Sequence, residues 1–229
     1  ILEGPYDNVS GLMDDNLRRN GLLPTTSPYE DNAVVSNTVF SSGGTIGTGL
    51  DKDDIIDWVW LEIRDRYNES IVVAAQSALL QRDGDIVDLD GYSTMKISVN
   101  FDSYYLVVSH RNHLGIISSS TVSSINGVVN LDITNNSALV TGGTNAIKDM
   151  GDGKFALYAG DFNGDGQVQN TDKSAVEPLR GISGYSNADI DMNGEVQNTD
   201  LNSVLNPNLG KGKQYTGKQL YAKRKKRIY

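Results

Sequence analysis

Asp161, Asn163 and Asp165 sit two residues apart and are followed by Gly166 and then Asp172; Asp189, Asp191 and Asn193 are followed in the same way by Gly194 and Asp200. The two stretches, DFNGDGQVQNTD at 161–172 and DIDMNGEVQNTD at 189–200, end on one shared tetrapeptide, QNTD. Side-chain oxygens at positions 1, 3, 5 and 12 with glycine at position 6 suit a hard divalent cation. Calcium takes about six to eight oxygen ligands, and glycine lets the chain turn sharply inside the coordination sphere. Position 7, Gln167 or Glu195, would contribute its backbone carbonyl. The expected ligands are therefore Asp161, Asn163, Asp165, Gln167 and Asp172 for one calcium ion, and Asp189, Asp191, Asn193, Glu195 and Asp200 for a second. Each loop gathers three carboxylates whose mutual repulsion opposes closure without a cation, so metal binding and folding should be coupled. With free calcium at about 100 times Kd, each site would add about 2.7 kcal/mol.

A short helix is expected after each loop. DKSAVEPLRG is stopped by Gly181 and burdened by Pro178, and DLNSVLNPNLG is stopped at Pro207. Ala175, Val176, Leu179, Leu201, Val204 and Leu205 form the expected small core between them. Aspartate rather than glutamate at position 12, a valine at position 8 (Val168, Val196) and no convincing helix before either loop resemble the dockerin-type repeat, in which a loop and one following helix occur in tandem.

Upstream, short β-prone runs recur at intervals near ten residues, separated by Gly, Asn, Asp and Ser clusters. The spacing predicts a mostly β fold, an antiparallel β-sandwich of prealbumin or immunoglobulin-like type. Its strands are expected at 33–40, 55–64, 70–80, 85–90, 95–101, 104–110 and 128–134, with 155–160 as a last strand or a connector. In the fifth, Met95, Ile97, Val99 and Phe101 alternate with Lys96, Ser98 and Asn100, the pattern of a half-buried strand. Asp83-Gly84 is a hairpin signal joining the third and fourth. Residues 1–32 carry three prolines and one helical candidate, 11–20 after a Ser10 cap, and should drape over a neighbour. The expected domains are an extended segment 1–32, the sandwich 33–157, the calcium module 158–210 and a basic tail 211–229.

The chain has 229 residues, no cysteine and a net charge of −9. Disulfide, thiolate and thiol chemistry are excluded, and no apolar run is long enough to span a membrane as a helix. Residues 211–229 hold eight basic side chains and no acidic one, so a tail of +8 follows a body of −17. An acidic body disfavours nucleic acid and suits divalent cations. The tail reads either as a solvated terminus or as a cationic end that meets lipopolysaccharide, its own body or export machinery. The start at Ile1, without initiator methionine or signal peptide, suggests the C-terminal part of something longer.

LEGPYDNVSGLMDDNLRRNGLLPTTSPY, DWVWLEIRD, SALLQRDGDIVDLDG, YYLVVSHRNHLGIIS and the paired loops together resemble a C-terminal module of large secreted and cell-surface proteins of Bacteroidota. The resemblance implies a non-catalytic region of β-sandwich plus dockerin-like repeats. It further implies type IX export across the outer membrane to the cell surface, and an outer-membrane barrel or anchoring component as partner. Two alternatives stand beside it: a dockerin-like module that binds a cohesin-type receptor, and a carbohydrate-binding adhesin domain centred on Trp58 and Trp60.

Other constellations are weaker. His110 and His113 flank Arg111 in SHRNHLG, where a strand-end turn is the better reading than zinc, because no third ligand is indicated. No GxSxG motif frames a serine. GGTIGTG at 43–49 leads into DKDD, an acidic sequence ill suited to phosphate. Trp58 and Trp60 share a strand face that residues 1–32 are expected to cover.

Overall fold

The computed structural model describes residues 1–41, 52–99, 103–125 and 128–217. Gly11 decides how the chain begins. At φ +73° it closes a turn, its N–H donating to the Asp7 carbonyl at 2.9 Å, so that β1 (Tyr6–Asp7) and β2 (Leu12–Met13) pair antiparallel. The helix expected over 11–20 therefore shrinks to α1 (Asn16–Arg19), and Ser10 belongs to the turn rather than to a cap.

A second expectation fails at 33–40. Ser36 accepts from the Thr38 N–H at 3.3 Å, as an N-cap does, and the chain coils into α2 (Asn37–Ser41). Only a single bridge, Thr26 to Val34, remains of the predicted strand. The glycine-rich stretch 43–49 lies outside the described residues.

The run 55–64 is the centre of the fold. Every residue of β3 (Ile55–Arg64) is buried, the charged Asp57, Glu62 and Arg64 among them. It lies between β4 (Val72–Gln81) and β6 (Ser103–His110), antiparallel to both. The Asp83-Gly84 turn, with Gly84 at φ +99°, returns the chain from β4 into β5 (Ile86–Val87), which pairs with it. β6 pairs with β7 (His113–Ile117) and β8 (Val122–Ser123). The product is one six-stranded antiparallel sheet in the order β5-β4-β3-β6-β7, with β8 on β6.

The described residues contain no second sheet of comparable size, so the sandwich is not formed as expected. Residues 95–99 keep their alternation, Met95, Ile97 and Val99 half-buried and Lys96 and Ser98 exposed, yet form no ladder. The Gln76 side-chain amide donates to the Lys96 carbonyl at 3.1 Å instead. Residues 100–101 lie outside the described residues. Residues 128–134 also run without a ladder; the Thr134 carbonyl accepts from Phe155 N–H at 2.8 Å. These segments are covers for the sheet, with side-chain periods that mimic strands.

The tryptophans are covered, as expected. Trp58 Nε1 donates to the Pro24 carbonyl at 2.9 Å, the Tyr29 hydroxyl donates to the Trp58 carbonyl at 3.1 Å, and the Tyr29 and Trp60 rings lie 5.7 Å apart. Trp58 and Trp60 are 0% and 2% exposed, so these two rings offer no surface on which a glycan could stack.

Chain 155–160 serves both purposes foreseen for it. β10 (Phe155–Leu157) forms a hairpin with β9 (Ile147–Asp149), and the next residues dock on β7: Leu114 N–H donates to Tyr158 O at 2.8 Å and Gly160 N–H to Asn112 O at 2.9 Å. Leu114, Tyr158 and Ala159 belong to the same apolar cluster as Val168 and Val196 of the two loops.

Candidate metal-binding loops

The two loops fold alike from their local chemistry. In each, the position 6 N–H donates to the position 1 carboxylate: Gly166 to Asp161 Oδ2 at 3.0 Å, Gly194 to Asp189 Oδ2 at 2.9 Å. The position 7 N–H donates to the position 5 side chain, Gln167 to Asp165 and Glu195 to Asn193, both at 2.9 Å. The position 12 carboxylate accepts from positions 3 and 9: Asn163 at 3.2 Å and Gln169 at 2.8 Å reach Asp172, and Asp191 at 3.0 Å and Gln197 at 2.7 Å reach Asp200. From position 6 onward the alternation of buried and exposed residues is identical in the two loops. Gly166 and Gly194 sit at φ +89° and +95°, where a side chain is strained. Gly194→Ala, whose Cβ would also meet Leu22 Cδ1 at 2.8 Å, is expected to cost about 1–2 kcal/mol in denaturant unfolding.

Position 12 doubles as a helix cap, which starts each helix earlier than expected. α3 (Asn170–Val176) begins inside the first loop, with Asp172 at its third position in a capping box with Gln169, and continues into a 3-10 turn Glu177–Leu179 that holds Pro178. In the second loop the helix starts at 198–199 and continues as a π-helical segment Asp200–Leu205 into a 3-10 turn Asn206–Asn208. Pro207 is housed in that turn rather than ending the helix before it. Val176, Leu201, Val204 and Leu205 are buried together as predicted, with Leu179 packed against them and Ala175 only half-buried.

Each loop is closed by the chain that leaves the other repeat. Behind the first, Val168 N–H donates to Lys211 O at 2.8 Å, Gly210 N–H to Val168 O at 2.9 Å and Lys213 N–H to Gly166 O at 2.9 Å. Behind the second, Val196 N–H donates to Ile182 O at 2.8 Å, Gly181 N–H to Val196 O at 2.8 Å and Gly184 N–H to Gly194 O at 2.9 Å. Residues 181–184 and 210–213 are thus equivalent straps. The start of the expected tail, 211–217, is docked: Tyr215 packs on Val107 and Ile117, and Arg64 Nη1 donates to the Thr216 carbonyl at 2.8 Å. The remainder, 218–229, lies outside the described residues. No local sequence signal marked either strap, because the pairing is read only from the partner strand.

The carboxylates are crowded. Burial, then the nearby Asp172 charge, pushes Asp161 up to about 7; burial, then the Asp200 and Asp191 charges, does the same to Asp189. Burial also raises Asp172 and Asp191. Oxygens of Asp189, Asp191 and Asp200 lie within 4.8 Å of one another, close enough to hold a metal ion. The first loop's three carboxylates do not draw together to that extent, and Asp165 is engaged by the Asn163 amide at 3.0 Å. Asp161 Oδ1 is buried with no hydrogen-bond partner. The side chains of Gln167 and Glu195 are exposed, and their backbones bridge to Gly212 and Ser183.

The second loop is tied to the sheet by a buried network that the sequence only half disclosed. The turn between β6 and β7 carries His110, Arg111, Asn112 and His113, all buried. Asp57 Oδ2 accepts from Arg111 Nε at 2.9 Å and from His110 Nε2 at 3.1 Å, and its Oδ1 accepts from the Tyr185 hydroxyl at 2.7 Å. Burial alone would raise the Asp57 pKa; the Arg111 charge and the His110 and Tyr185 bonds outweigh it and hold the group below the usual carboxylate range. Burial lowers the His110 pKa. The two rings face each other, Nδ1 to Nδ1 at 2.9 Å, and His113 Nε2 donates to the Glu3 carbonyl at 2.7 Å, so each ring spends its Nε2–H within the fold. Arg111 Nη1 donates to Ser186 O, and the Asn112 amide donates to Asn187 O at 3.1 Å and Asp189 O at 2.9 Å. The available signal was Asp57 itself, a carboxylate within an apolar strand.

Among the described residues no helix is long and apolar enough to cross a membrane. Comparison of the chain with protein-family models, with curated proteins and with solved structures returns no match.

Proposed function

We propose that the chain is a non-catalytic module whose two loops bind calcium and thereby hold a small helical unit rigidly on a β-sheet body. The observation that carries the reading is the shared geometry of the loops: two independent stretches place glycine, carboxylates and N–H donors in the same relative bonds, and one brings three carboxylates within reach of a single ion. Calcium is favoured over a softer ion because the donor set is oxygen only. In the setting that the sequence resemblance implies, the module serves type IX export or cell-surface attachment of a passenger, with an outer-membrane barrel or anchoring component as partner.

Receptor binding of the dockerin kind is the second reading. What favours it is that Gln169, Asn170 and Thr171 and their counterparts Gln197, Asn198 and Thr199 are exposed in both repeats, while the aspartate that follows each trio is buried.

The test is capture from outer-membrane extracts and from secreted protein on the immobilised chain, in 1 mM calcium and in chelator. A barrel protein held only with calcium supports the export reading, and a soluble receptor domain held only with calcium supports the second. Normal surface display of a passenger deleted for residues 158–229 would overturn the first.

A further inference from the structure

We propose that the two loops fill in a fixed order, the second before the first, because the body builds one and leaves the other open; this rests on reading both as calcium sites. Four contacts hold the second loop. Met192, at position 4, is 1% exposed within the main core and held at φ +61°. Gly4 lies so close to the loop backbone that a Cβ there would meet Ile190 O at 2.7 Å. Leu22 covers Gly194, and Asn112 fixes the Asp189 carbonyl. Asp191 and Asn193 are half-buried as a result, and the three carboxylates already converge.

The first loop has none of this support. Position 4 is Gly164 at φ +71°, and Asn163 and Asp165 are exposed. Its strap brings Lys213 across it: a Cβ on Gly166 would meet Lys213 Cε at 2.6 Å, and the ammonium acts electrostatically on Asp161 and Asp165. The equivalent strap position behind the second loop is Gly184, which carries no charge. Asp161 Oδ1, buried and without a partner, marks a seat that the lysine compensates at a distance and does not fill. A cation entering there must order the exposed ligands and work against the fixed positive charge, whereas the second loop meets its ion nearly preformed.

Occupation of the first loop should in turn hold the strap, since residues 210–213 are bonded to the loop backbone and Tyr215 to the sheet. Calcium would thus fix the C-terminal segment only at the second, weaker step.

Calorimetric titration of the metal-free full chain with calcium chloride tests the order, using variants that keep the wild-type circular dichroism spectrum. Two steps are expected. Asp189→Asn should remove the tighter one and Asp161→Asn the weaker. Lys213→Met, which keeps the stem, should strengthen the weaker step about fivefold or more and leave the tighter one unchanged. Equal affinities in the wild type, loss of the tighter step in Asp161→Asn, or no response to Lys213→Met would overturn the order while leaving the calcium reading intact. Absence of any calcium uptake would remove both.

Discussion

Chelating calcium from the purified chain is expected to lower its melting temperature by about 10–20 °C. With free calcium about 100 times the weaker site's Kd, each site contributes at least about 2.7 kcal/mol and the two together about 5 kcal/mol or more. For a chain of this size each kcal/mol moves the midpoint by about 2–4 °C. The pH dependence has a definite sign. Without metal, Asp161 and Asp189 are pushed up to about 7, chiefly by burial, so between about pH 4 and pH 7 the folded state binds more protons than the unfolded one. Stability of the metal-free protein must therefore fall as pH rises through that window. Calcium replaces those protons, so the gap between melting curves in 1 mM calcium and in chelator should widen from pH 5 to pH 7, with protons released on binding. Melting curves that coincide at every pH would sink the calcium reading.

What could be read from the residues was whatever local chemistry decides. A twelve-residue loop carries its own turn and caps, so the sharp turns at Gly166 and Gly194 were legible, whereas the bonds their N–H groups make to Asp161 and Asp189 and the burial of Val168 and Val196 appear only in the fold. β3, β4 and the Asp83-Gly84 hairpin were legible because apolar continuity and turn chemistry agree there. That 33–40 and 128–134 form no ladder was not legible, since they share strand composition with true strands and differ only in what lies beside them. Ser36 capping α2 was a local signal, outweighed in the reading by the valines around it. The straps were invisible for a related reason: backbone pairing of Lys211 with Val168 leaves no trace in either side chain. Charge placement was half legible, because a buried aspartate in β3 announces a partner without naming it, and Arg111 and Tyr185 lie 54 and 128 residues away.

That partner supplies the other large effect. Asp57→Ala is expected to destabilise the calcium-loaded chain by about 3–5 kcal/mol, the range for breaking a buried ion pair from one side. Asp57 and Arg111 are fully buried, and removing the carboxylate strands a guanidinium whose Nη2 already lacks a hydrogen-bond partner, leaving it the Ser186 carbonyl and the Tyr185 ring 4.3 Å away. His110 and the Tyr185 hydroxyl lose their acceptor at the same time. If the cost is the uncompensated charge, Asp57→Ala combined with Arg111→Met should recover a substantial part of it, giving a coupling energy of about 1–3 kcal/mol in a double-mutant cycle. Additivity within about 0.5 kcal/mol would show that the pair is not a unit. Because the folded Asp57 pKa is depressed, its contribution is fully present at neutral pH, begins to shrink as pH falls into the ordinary carboxylate range where the unfolded side chain takes up its proton, and is gone only once pH drops below the folded pKa. The same network reaches the second loop: Tyr185, Ser186 and Asn187 lead directly into Asp189. Loosening Arg111 should therefore weaken the tighter calcium step, that of the second loop, selectively, whereas a purely structural loss would leave both steps intact in whatever fraction remains folded.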